Sequence, residues 1–182
     1  MNKAEALAKR LKSINSNAKI SFHSVFLSAD NIKSCIEGKK VAINALDFTS
    51  EIPSLFDEVC RRSNIPIIHP FNIGWGGIIT VVTPKSQMLN SLSKSDEEFN
   101  EVSVVKYASD YLKFWGEPQL WIDKVLEKYE NETLNLSPPQ LSIGSWIIAS
   151  MCTHVLYKLA TKKEIKTFPE FYLSTIMEDN IS

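Results

Sequence analysis

Apolar positions divide the chain into elements. Between Lys3 and Ile14 they fall at Ala4, Leu7, Ala8, Leu11 and Ile14, which is helical spacing, with Lys9, Arg10 and Lys12 as a basic outer face. Asn15-Ser16-Asn17 stops this helix. Ala18–Phe26 carries Ile20, Phe22, Val25 and Phe26 and reads as a strand. Ser28-Ala29-Asp30 can cap a short helix, Asn31–Ile36, that closes at Gly38. Val41–Leu46 is a nearly continuous apolar run, the pattern of a parallel strand covered on both faces, and it stops at Asp47. Ile52, Leu55, Phe56 and Val59 predict another helix, with Pro53 tolerated in its first turn and Ser50 or Thr49 as cap. Ile65–Ile68 is a further short strand. Strand, helix and strand in this order predict a βαβ unit with parallel strands.

His69–Gly77 is turn-forming, and its Gly74-Trp75-Gly76-Gly77 predicts a tight turn. Ile78–Val82 accumulates β-branched residues and ends at Pro84; here a mixed sheet can gain antiparallel strands. Lys85–Glu98 is polar and predicts a surface loop. Phe99, Val102, Ala108, Tyr111, Leu112 and Trp115 predict a helix stopped by Gly116. Leu120, Trp121, Val125, Leu126 and Tyr129 predict a second, Asn131–Pro139 a linker, and Leu141–Leu159 a strongly apolar third. Phe168–Leu173 reads as a closing strand. The expectation is one α/β domain over 1–182: an α/β half (1–84), a helical insertion (85–140), and a late core helix with closing strand (141–182).

Composition narrows the function classes. With 182 residues, 44% apolar and 23% charged, the chain can bury a real core. A formal charge of −1 provides no global field for nucleic acid or an anionic membrane, so neither is an expected partner. No apolar run reaches the ~18–20 residues of a membrane helix. The N-terminal MNKAEALAKRLKS has no apolar signal core, so a cytoplasmic address is expected. Cys35, Cys60 and Cys152 are far apart and form no CxxC pair; they read as reduced thiols, with no zinc site among them.

Candidate chemistry centres on Asp47. The carboxyl ends of parallel strands are where open α/β sheets bind ligands, and one carboxylate plus phosphates is a usual magnesium arrangement. The alternative is a helix-capping aspartate. His23, His69 and His154 each read as structural, since no Ser–His–Asp or Cys–His pattern accompanies them. Trp115, Trp121 and Trp146, with Tyr107, Tyr111 and Tyr129, read as core or interface residues first, and their enrichment supports a dimer as the second reading.

Two blocks together carry a resemblance. KAEALAKRLKSINS (Lys3–Ser16) resembles the helix that follows the nucleotide-binding half of ThiF/MoeB-type activating enzymes, relatives of ubiquitin-activating enzymes. VAINALDFTSEIPSLFDEVCRRSNIPIIHPFNIGWGGIITVV resembles that family's strand–Asp–helix–strand segment. The resemblance implies a Rossmann-like, mostly parallel sheet with flanking helices. It implies that Lys3 occupies the position of a lysine that contacts ATP phosphates, and Asp47 that of an aspartate holding the magnesium of MgATP. No catalytic residue is carried over. Where the family often has asparagine after this aspartate, Phe48 stands here.

The family's opening strand and GxGxxG-type turn, its ribose-binding acid and its arginine segment have no counterpart, so the fold is expected to be N-terminally incomplete. The paired CxxC zinc motifs are also missing. The implied function is MgATP-dependent adenylation of the C-terminal carboxylate of a ubiquitin-like or sulfur-carrier protein, by a truncated nucleotidyltransferase that is inactive alone or completed by a partner. The alternative is a non-catalytic dimeric binding module derived from the same fold. Either way the sheet edge left bare by the absent strands must be covered. A homodimer, or a helix from Phe99–Tyr129, is the expected cover.

Overall fold

The computed structural model of the protein describes residues 2–93, 99–132 and 140–177. Most of the expected 131–139 linker and the tail beyond Met177 lie outside the described residues.

Helix α1 (Lys3–Ile14) forms where its apolar spacing predicts, with Asn2 as cap: its side-chain oxygen accepts from the Ala4 N–H at 2.8 Å. After the short helix α2 (Ile32–Ile36) comes the βαβ unit: β1 (Ala42–Ile43), α3 (Ile52–Arg62) and β2 (Ile67–Asn72). β1 and β2 pair in parallel, Ala42 with Ile67 and Ile43 with Ile68. β3 (Gly76–Val82) returns antiparallel beside β2, and β4 (Tyr172–Thr175) lies antiparallel to β3. The sheet order is β1-β2-β3-β4. β1, β2 and β4 therefore run in one direction and β3 against them, giving an α/β fold with a mixed sheet.

The sheet has two covered faces because β2 and β3 alternate into both. Ile67, Phe71, Ile78 and Val82 point to a large core with α3, α4 (Glu101–Phe114) and α5 (Leu120–Glu130). Ile68, Ile79 and Val81 point to the other side, against Ile148, Cys152 and Val155 of α6 (Ser142–Ala160). Every residue of β3 is buried, as a strand covered on both faces requires. Val104, Val105, Ala108, Trp121 and Ile122, from the 85–140 region, belong to the main core. Leu89, in a 3-10 turn within the expected surface loop, is buried there too. No helix of the described residues is long and apolar enough to cross a membrane.

α6 approaches the β2–β3 hairpin closely, and small residues make the approach feasible. Gly74 takes φ +79° in the turn. A side chain at Gly144 would meet the Gly74 carbonyl at 2.5 Å and that of Gly76 at 2.9 Å. Asn72 fastens the junction: its Nδ2 donates to the Leu141 carbonyl and to Ser145 Oγ, each at 3.0 Å, and its Oδ1 accepts from Gly74 N–H at 2.9 Å. The glycines of the GWGG turn serve packing.

Three sequence expectations need correction. Ala18–Phe26 is not a strand: it joins no ladder and bends at Ala18 and Val25. Val41–Leu46 forms only the two-residue β1, because Asn44 turns its side chain back onto Leu46 N–H (3.2 Å) and ends the ladder. Of the tryptophans expected in the core or an interface, Trp121 is buried, whereas Trp115 and Trp146 are 63% and 77% exposed. The helices of 99–129 cover the sheet face, so the outer edge of β1 is flanked instead by α1 and the 20–27 segment. Cys60 and Cys152 are buried and Cys35 is half-buried, all as free thiols.

Gly144→Ala is expected to destabilise the fold by about 1–3 kcal/mol, the usual cost of overpacking against atoms that cannot yield. Ser150→Ala, on the exposed side of the same helix, should stay within ~0.5 kcal/mol. Urea unfolding of the two variants checks the contrast.

Candidate functional site

The β1–α3 junction is built on a buried polar cluster. Asn44, the first residue after β1, is buried; its N–H donates to the Ile68 carbonyl at 2.9 Å and extends the pairing with β2 by one bond. Its Nδ2 donates to Asp57 Oδ1 at 2.8 Å and to the Pro53 carbonyl at 3.1 Å. Asp57 and His69 are both buried, with His69 Nε2 3.2 Å from Asp57 Oδ2 but without hydrogen-bond alignment for either ring nitrogen. The ring of His69 lies between those of Phe48 and Phe71, with centroids 6.4 and 6.3 Å away. The residue after β1, α3 and β2 each supply one polar member.

Burial sets the charge state. It pushes the Asp57 carboxyl up to about 7, against a smaller lowering from the Asn44 amide. It pushes the His69 imidazole down to about 3. Cys60, one turn along α3, is pushed up to about 12 by burial and the neighbouring carboxylate. The cluster therefore holds one proton at mildly acidic pH, on Asp57. The space beside Asp57, lined by Phe48, Ser54, Leu89 and Phe99, contains no water-sized void. These groups hold the junction in place and are out of reach of a substrate.

The loop fastened in this way carries Asp47 to the surface, just beyond the carboxyl end of β1. Asp47 is exposed and makes no ion pair among the described residues. Phe48 turns inward, its N–H donating to Glu101 Oε1 at 2.8 Å and its ring packing edge-on against Phe99. Lys3 is exposed at the first turn of α1. No hydrogen bond or ion pair joins Lys3 to Asp47. His23 and His154 are exposed and lie outside the cluster.

Against known proteins, a model of the ThiF family matches residues 1–181. The chain belongs to the ThiF family. The crystal structure of SeMet PaaA has the same kind of fold: the TM-score is 0.54 at 11% identity, over 97% of this chain and 52% of that one. The ThiF-family chain thus spans about half the length of that protein. No curated protein matches the sequence.

Sequence pattern alone assigns no role to Asn44 and Asp57, and it reads His69 as structural on its own. Two signals pointed to the cluster. Asn44 interrupts an apolar run, and Asp57 falls on the buried stripe of α3, among Pro53, Phe56 and Cys60.

The proton count predicts the pH dependence of stability. Unfolded, the pair holds one proton on the histidine between about pH 4 and 6.5; folded, it holds one on Asp57. The wild-type stability is therefore nearly flat across this range. Asp57→Asn leaves the histidine alone, with its folded value depressed, so stability should fall by a few kcal/mol as pH drops from 6.5 towards 3. His69→Gln leaves the carboxyl alone, with its folded value raised, so stability should fall as pH rises from 4 to about 7. Urea denaturation at stepped pH reads these opposite slopes.

Proposed function

We propose that this ThiF-family chain takes part in MgATP-dependent adenylation of the C-terminal carboxylate of a ubiquitin-like or sulfur-carrier protein, and that it is completed by further polypeptide. The observation that carries the reading is Asp47: exposed, unpaired, and fastened through Asn44 at the carboxyl end of β1, in a chain matched to the family over 1–181. Ligands of open α/β sheets sit at such strand ends.

The residues suit a magnesium ion shared with phosphates. Asp47 offers one hard carboxylate, and no group of three potential ligands exists among the described residues, so phosphate and water oxygens would complete the shell. Bound there, the ion would neutralise phosphate charge as pyrophosphate departs. Asp47 holds its carboxylate ready on a loop that Asn44 and Asp57 keep from collapsing. Lys3, at the head of α1, serves as a point charge for phosphate oxygens. Phe48 leaves the polar shell poorer than in relatives with asparagine at this place, consistent with weak activity of the chain by itself. A cytoplasmic address accompanies this reading.

MgATP at ~100 times its dissociation constant stabilises a protein by about 2.7 kcal/mol, some 5–10 °C in melting temperature for a chain of this size. That shift is expected for the wild type. It should be lost in Asp47→Ala, whose own melting temperature in the absence of nucleotide should be unchanged because the side chain is exposed. ATP–pyrophosphate exchange with the same two proteins tests the chemical step. No shift in either protein would overturn the nucleotide reading.

A second reading, a non-catalytic dimeric module, is favoured by one observation. The face of α6 away from the sheet exposes Trp146 and Tyr157, with Ala149, Ser150 and Thr153 between them. A self-complementary helix face of this kind suits a two-fold homodimer. Trp146→Asp should then convert a dimer to a monomer in sedimentation; an unaltered assembly state in this variant would count against α6 as the contact.

A further inference from the structure

Asp47 lies between two residues whose backbone N–H groups are both held by side chains. Leu46 N–H donates to Asn44 Oδ1 at 3.2 Å, a local bond within the loop. Phe48 N–H donates to Glu101 Oε1 at 2.8 Å, from a residue 53 positions further along the chain. The second bond is the shorter, and its acceptor is a carboxylate oxygen. Hydrogen bonds to charged acceptors are roughly twice as strong as those to neutral ones.

Glu101 can act as a fixed point because the start of α4 is itself fixed. Asn100 caps the helix, its Oδ1 accepting from Ser103 N–H at 3.1 Å. Val104, Val105 and Ala108, in the next two turns, are buried in the main core. Phe99, two residues before Glu101, packs edge-on against the Phe48 ring with centroids 4.8 Å apart. The same end of α4 therefore grips Phe48 twice, by its backbone and by its buried ring.

A glutamate in the first turn of a helix has an ordinary role, in which its charge favours the helix N-terminus. That role needs the charge and is indifferent to where one oxygen points. Glu101 makes no ion pair among the described residues, and the hydrogen bond it does accept comes from the residue next to Asp47. An exposed carboxylate holds a phosphate-bound magnesium best when its main chain is already placed, because ordering a loop on binding costs affinity.

We propose that Glu101 is a positioning residue for Asp47. It fixes the main chain on the side of the aspartate opposite Asn44, and so ties α4 to the candidate magnesium position. This inference rests on the MgATP reading of Asp47.

Three substitutions separate the oxygen from the charge. Glu101→Gln keeps an acceptor oxygen at the same reach and loses the charge. Glu101→Asp keeps the charge and draws the acceptor back by one methylene. Glu101→Ala loses both. Amide exchange at Phe48, followed by NMR without nucleotide, should be slow in the wild type and Glu101→Gln, and faster by about tenfold or more in the other two. Thermal-shift titrations with magnesium at fixed ATP should group the proteins in the same way. Loss of a group behind a metal ligand typically costs about 10–100-fold in metal affinity, and Glu101 acts one residue away. The magnesium concentration for half the maximal shift should therefore rise about three- to tenfold in Glu101→Asp and Glu101→Ala, and stay within about twofold in Glu101→Gln. A magnesium titration that groups Glu101→Asp with the wild type and Glu101→Gln with Glu101→Ala would assign Glu101 to the helix N-terminus and overturn the proposal. Unchanged exchange at Phe48 in Glu101→Ala would overturn it too, as would an unchanged magnesium requirement in that variant; either result leaves the Asp47 reading standing. Absence of any MgATP shift in the wild type would overturn the Asp47 reading itself, and this inference with it.

Discussion

The contact on which the site depends is the 2.8 Å hydrogen bond from the Asn44 amide to the buried Asp57 carboxyl. It joins the end of β1 to the middle of α3, and His69 brings β2 into the same cluster. A carboxyl group out of water is costly when charged and tolerable when it keeps its proton or finds donors. Here one amide donor and one proton perform that role. The same Asn44 side chain reaches the Leu46 N–H and the Pro53 carbonyl, so the loop holding Asp47 is pinned at both ends. Asp47 stands exposed on a short loop that the Asn44 side chain holds from within.

The two faces of the sheet are closed by different means. On one, α3, α4 and α5 bring large aliphatic and aromatic side chains, with Tyr107 and Tyr111 packed against Phe168 and Phe171. On the other, a single long helix lies close because Gly77 and Gly144 remove side-chain bulk where α6 meets the hairpin. Close packing of this type fixes distances to a fraction of an ångström and leaves little freedom in the hairpin. The β1 side is the opposite case. There the strand is two residues long, its neighbour segment has no ladder, and apolar side chains line an open groove. One half of the molecule is finished by its own packing, and the other presents an edge.

Much of this was legible in the residues. The helical spacing of Lys3–Ile14 gave the limits of α1, because a single apolar stripe and an asparagine at each end leave one register for the helix. The βαβ order, the antiparallel return of β3 and the three later helices followed from run lengths and glycine stops at Gly74 and Gly116, both at positive φ. The family was legible as well, in the lysine helix and the apolar run that leads to Asp47. Ala18–Phe26 failed because alternation shows that a segment suits a strand and says nothing of whether a neighbour is present to pair with it. Trp146 is exposed on α6, a helix apolar nearly all round, where periodicity does not single out the core-facing stripe, and Trp115 caps α4 beyond its buried stripe.

By itself, then, the sequence determined what is local: where most helices begin and end, and that Ile78–Val82 forms a strand. Tertiary structure alone decided the partnerships. That Asp57 and His69 meet, 12 residues apart in the chain and on different elements, depends on α3 folding back over β2. That Asn72 reaches the start of α6 depends on a helix 69 residues further on. Hydrogen bonds and close contacts depend on separation in space, and periodicity encodes only separation along the chain.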